Sequence, residues 1–110
     1  MLTFHPIKIN LLLQELHQNL KVFYGDRLTN LILFGSHARR DATEDFDIDI
    51  LIVLQDPISP GDEILRISAL KTDLNLKYEE LISVTPISEI DYQTRSTPLL
   101  ENIRREGIIL

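Results

Sequence analysis

Two carboxylates spaced two residues apart, Asp47 and Asp49, open a run that continues as the wholly apolar Ile50-Leu-Ile-Val-Leu54. If that run is a strand, alternate side chains share a face. Both acids then point one way while Ile48 and Ile50 point the other. Carboxylates about 6–7 Å apart on one strand face repel each other unless a cation lies between them. A divalent metal with oxygen ligands is the natural candidate. Separated from Asp47 by ten residues, another apolar run, Leu31-Ile-Leu-Phe34, ends at Gly35-Ser36. Gly35 lets the backbone turn tightly, and Ser36 can cap a short helix whose amide groups face an anion. A pair of metal-binding carboxylates beside a phosphate cradle is equipment for handling a nucleoside triphosphate.

Gly-Ser, ten residues, then Asp-x-Asp resembles the signature of the DNA polymerase beta-like nucleotidyltransferases. The short chain looks most like their minimal nucleotidyltransferase (MNT) group, which is often paired with HEPN-domain proteins. The specific match runs from Gly35 to about Val53, and a weaker pattern of elements extends over nearly the whole chain. The resemblance implies a Mg²⁺ ion on Asp47 and Asp49, which would be the catalytic pair. It implies ATP held by Gly35, Ser36 and Arg39, the last resembling the Arg that follows Gly-Ser-x-Ala in this family. The activity implied is transfer of AMP to a protein hydroxyl, with a HEPN-type toxin as the partner and this chain as its antitoxin.

Three positions depart from the family pattern. Arg40 stands where a small residue is common and reads as exposed, and Phe46 stands where the family often has Ser and reads as packing. The larger departure is on the third strand. Active members usually carry a third acid there, which helps bind a second metal or acts as base toward the acceptor. The matching position in this chain is Ser83. Glu79 or Glu80 substitutes only if the register slips, and a one-residue slip would turn the faces of the strand over. The rival expectation is therefore a binding module that neutralises its partner by contact, holding nucleotide and one Mg²⁺ with little or no turnover. A transferase acting on a small molecule is the third reading, for which the chain is short unless a dimer supplies the acceptor site.

The positioning elements follow in order. Ile9, Leu12, Leu13, Leu16, Leu20 and Phe23 recur at helical spacing, which predicts a helix over about 7–23 after the His5-Pro6 break, with Gly25 as its stop. Leu28 to Phe34 reads as a strand covered on both faces. A short helical turn from His37 to about Asp41 follows, His37 being exposed, and then polar residues 42 to 45. Asp47 to Leu54 is the second strand, with its acids at the end where a site on an open α/β sheet is expected. Ser59-Pro-Gly-Asp62 has the form of a capping box opening one helix to about Lys77 that buries Ile64, Ile67, Leu70 and Leu74. Glu80 to Pro86 is the third strand, with Leu81, Ser83 and Thr85 on one face. Ser88 caps a short helix, Thr97-Pro98 opens the last one, and Gly107 ends it. The apolar Ile108-Ile-Leu110 either joins a sheet edge or meets a partner. The fold class expected is α/β (α+β), a small mixed sheet with helices packed on it and the two signature strands adjacent.

Composition bounds the rest. The 110 residues make one domain, 1–110, with 44% hydrophobic and 25% charged residues, ordinary for a globular protein. No apolar run is long enough for a membrane span and no leader is evident, so a cytoplasmic address is the default. Without cysteine there is neither a disulfide nor a thiolate metal site. A net charge of −6 with scattered Lys and Arg argues against general nucleic-acid binding. A homodimer or a complex is consistent with the small core and the apolar end.

Overall fold

The computed structural model describes residues 6–39 and 47–110. The expectations for His5, Arg40, Asp41, residues 42–45 and Phe46 lie outside the described residues. The element order is α1 (Pro6–Tyr24), a 3-10 turn (Gly25–Arg27), β1 (Leu28–Phe34), α2 (Ser36–Arg39), β2 (Ile48–Leu54), α3 (Pro60–Arg66), α4 (Ser68–Tyr78), β3 (Ile82–Ser88), α5 (Glu89–Thr94), α6 (Pro98–Glu106) and β4 (Ile108–Ile109).

The four strands form one mixed sheet in the order β3-β2-β1-β4. The signature strands β1 and β2 are antiparallel neighbours, β2 and β3 run parallel, and β4 pairs antiparallel with β1. The apolar C-terminus thus takes the sheet-edge alternative, with the Leu110 amide donating to the Leu31 carbonyl at 2.8 Å.

Because strand side chains alternate, the sheet separates two cores. Leu31, Leu33, Ile48, Ile50, Ile52, Leu54 and Ile82 pack with α1 and with Ile67 and Leu74. Ile32, Leu51 and Val53 face the other way, under Leu100 and Ile103 of α6. Both faces of the central strands are covered, which is why their sequences run apolar without interruption.

Some local expectations are corrected. On α1 the last inward residue is Tyr24, 6% exposed, whereas Phe23 lies 43% exposed. The Tyr24 hydroxyl donates to Glu63 at 3.0 Å, and Glu63, itself buried, also receives Arg27 and Arg66 at 3.2 and 3.1 Å. A satisfied polar cluster thus replaces an apolar contact. The single helix expected after Pro60 is two, broken at Ile67 (φ −101°, ψ 6°). The break buries Ile67 and Leu74 and turns Ile64 outward. Ser59 does precede Pro60, but its side chain makes no cap bond, so the capping box does not form. Ser88 and Thr97 do cap, accepting from the amides of Asp91 and Leu100 at 3.0 and 3.1 Å. The third strand starts at Ile82, leaving Leu81 outside it and exposed. Among the described residues, no helix is long and apolar enough to cross a membrane.

Candidate active site

The site lies where β1 ends and β2 begins. Asp49 is registered opposite Phe34 on β1 and beside Ser83 on β3. This is the carboxyl end of β1 but the amino end of the parallel pair β2 and β3. The carboxyl-end rule for open α/β sheets therefore does not describe it, because the first two strands are antiparallel.

Gly35 is required twice over. Its φ of +74° lies in the left-handed region that side chains disfavour, and a Cβ there would run into Oδ2 of Asp49, with Cγ at 3.3 Å. The Gly35 carbonyl accepts from the Arg39 amide at 3.1 Å, closing the one-turn helix α2. The helix starts at Ser36 itself, so Ser36 is its first residue rather than its cap. The amide groups at the start of such a turn have no partner within it.

Asp47, one residue before β2, is exposed, and Asp49 is half-buried. Burial raises the Asp49 pKa above the usual carboxylate value and the charge of Asp47 adds to this, while His37 and Arg39 pull it back. A like-charged pair of hard oxygen donors, one of them already penalised for its charge, fits a small divalent cation. Among the described residues no group of three or more His, Asp or Glu side chains could hold a metal.

The register puts Ser83 on the Asp49 face, one strand spacing away, about 4.8 Å. Glu80 pairs with Lys8 of α1 at 3.0 Å, and Glu79 ends α4 in the left-handed region (φ 55°). The slip that would bring either beside Asp49 is absent from the pairing.

Arg39 is exposed, with Nη2 3.5 Å from the Ser36 hydroxyl and Nη1 3.7 Å from Glu106 on α6. Two residues near the signature were not foreseen. His37 is 5% exposed rather than solvated, because a one-turn helix seated on the strand ends must turn one side chain inward. Glu106 carried one unread signal: an acid in the last turn of a helix, where the dipole disfavours it. Along the same sheet face, a cleft of ≈ 410 Å³ begins at Leu51 and Thr85, two residues on from Asp49 and Ser83, and extends to Arg95 and Leu99.

Comparison with known proteins identifies the family of the fold. The family model described as "Polymerase beta, Nucleotidyltransferase" matches residues 14–110. The chain belongs to this nucleotidyltransferase family. Its relatives include two Methanocaldococcus jannaschii proteins, "Putative protein adenylyltransferase MJ0141" and "Putative protein adenylyltransferase MJ0604". They are 31% and 37% identical over 88% and 89% of this chain, and over 93% of each relative. Among solved structures, a toxin-antitoxin with AMP-PNP superposes with a TM-score of 0.62 at 18% identity, covering 87% of this chain and 69% of that one. A variant of the toxin-antitoxin MntA-HpeT, in which two aspartates two positions apart are replaced by glutamates, gives 0.57 at 16%, covering 84% and 67%. These structures share the nucleotidyltransferase fold with this family member, whose sheet is the four-stranded mixed one described above.

Proposed function

We propose that the protein is a minimal nucleotidyltransferase that moves AMP from ATP to a hydroxyl of a partner protein, as the antitoxin of a HEPN-type toxin in the cytoplasm. The observation that supports this reading most is the close approach of the Gly35 backbone to Asp49, which leaves no room for a Cβ. It sets the turn proposed to hold phosphate against the strand proposed to hold metal, an arrangement a plain binding surface has no use for.

In this reading Asp47 and Asp49 hold Mg²⁺, which, when bound, neutralises charge on the phosphate oxygens. The amide groups at the start of α2 and the Ser36 hydroxyl fix the triphosphate, and Arg39 meets charge building on the departing pyrophosphate. The acceptor oxygen bonds to the α-phosphorus as the bond to the bridging oxygen breaks, and pyrophosphate leaves. Displacement is in line, so the acceptor would enter opposite the leaving group, and β3 with Ser83 flanks Asp49 on the side away from β1. There Ser83 is no base at its ordinary pKa, and the acceptor's proton passes to water. Turnover is accordingly slower than a third carboxylate would permit. The adenylyltransferase names of the relatives and the AMP-PNP in a structural neighbour support the choice of nucleotide. The toxin-antitoxin neighbours support the partner class.

Ser83 also favours a second reading, neutralisation of the partner by contact alone. Co-expression with the genomic neighbour separates the two. Under the enzymatic reading, Asp47→Ala plus Asp49→Ala abolishes neutralisation while the complex still forms. Neutralisation that survives the double substitution assigns the protein to contact inhibition.

A further inference from the structure

Arg39 is the cation that the proposed function assigns to the triphosphate, and it already has a carboxylate beside it. Its Nη1 lies 3.7 Å from Oε2 of Glu106, while Nη2 reaches the Ser36 hydroxyl at 3.5 Å. Glu106 ends α6, where the helix dipole opposes a negative charge. The cations next to it in sequence are turned elsewhere. Arg104 is bonded to Glu101 and to the carbonyls of Tyr92 and Arg95, and Arg105 to Asn102. Nor is the position of Glu106 loose. The Gly107 amide donates to the Ile103 carbonyl at 2.7 Å, a Cβ on Gly107 would lie 2.8 Å from Ile32, and Ile108 pairs with Leu33. The last helix and the edge strand therefore deliver one acid to the signature turn from outside the signature.

We infer that Glu106 is a positioning residue that competes with the triphosphate for Arg39 and thereby weakens nucleotide binding. The inference rests on the nucleotide-binding reading above. Both side chains are over a third exposed, and an ion pair of that kind shifts an equilibrium by no more than about five-fold. A triphosphate offers Arg39 several charged oxygens in bidentate geometry and displaces such a partner readily. Glu106 thus sets affinity without blocking the site, and it parks the guanidinium next to Ser36 when the nucleotide is gone.

The test is calorimetric titration of the full chain with a non-hydrolysable ATP analogue and Mg²⁺. Glu106→Gln is expected to tighten binding about two- to five-fold, and to lose that effect when introduced together with Arg39→Gln. A purely structural role for Glu106 would move the melting temperature and leave the dissociation constant unchanged or higher. Wild-type binding with no tightening in Glu106→Gln overturns the inference. Equal tightening with and without Arg39 overturns it as well, since the effect would not run through that side chain. Failure of the wild type to bind at all is a different outcome, which overturns the nucleotide reading itself and this inference with it.

Discussion

The Gly35 backbone and the Asp49 carboxylate occupy adjoining space, with no room between them for a methyl group. The turn that would hold phosphate and the strand that would hold metal are therefore one mechanical unit. Gly35→Ala has to carry a side chain at φ +74° and push Asp49 aside. It is expected to lower stability by about 1–3 kcal/mol and to reduce Mg²⁺-dependent nucleotide binding at least ten-fold. Denaturant melts and analogue titration read the two effects separately.

Asp49 folds with a raised pKa, from burial first and Asp47 second. A raised pKa contributes stability that is present below the unfolded value, about 3.9, and lost as pH rises through the folded value. At neutral pH the charged carboxylate is therefore a liability to the fold. Asp49→Asn is expected to raise the melting temperature at pH 7, and the gain should close as pH falls below about 4. Adding Mg²⁺ should stabilise the wild type and not the variant. Melting curves from pH 3 to 8, with and without Mg²⁺, check both.

Ser83 lies in register with Asp49 on the same face. Ser83→Asp places a third carboxylate where a base or a second metal ligand can act. An increase in transfer rate of about 10²-fold is expected, measured as initial rates at saturating ATP. An unchanged rate would mean that proton removal does not limit turnover.

Tyr24 is pushed up to about 12 by burial and by its hydrogen bond to Glu63. Its hydroxyl contributes stability that is complete below the unfolded value, about 10, and lost as pH rises through about 12. Tyr24→Phe is expected to cost about 1 kcal/mol at pH 8. The difference from wild type should shrink above pH 10, as chemical denaturation in the two ranges would show.

Much of this was legible in the sequence because strands leave a simple mark. The alternation along Ile48 to Leu54 gave the face of Asp49, and the continuous apolar runs gave a sheet covered on both sides. The cap signals at Ser88 and Thr97 are local hydrogen bonds and read true. What stayed hidden depends on contacts distant in sequence. The inward turn of Tyr24 needs Glu63, which lies 39 residues on. The α3–α4 break at Ile67 follows the demand of the core for that one side chain, which no helical period records. Glu106 reaches the site only because β4 folds back along β1, and its own segment reads as an ordinary surface helix end. For the site, Gly35, Ser36, Arg39, Asp47 and Asp49 are brought to the same strand ends, and the parallel register set Ser83 beside them rather than Glu79 or Glu80.

Nucleotide transfer by this site is read out by labelling of the partner. The protein, ATP labelled at the α-phosphate, Mg²⁺ and the genomic neighbour are incubated together and the partner is examined for label. Mg²⁺-dependent label on the partner, lost with Asp49→Ala, is expected. Absence of label with the wild type, under conditions where the ATP analogue binds and the partner is neutralised, would contradict it.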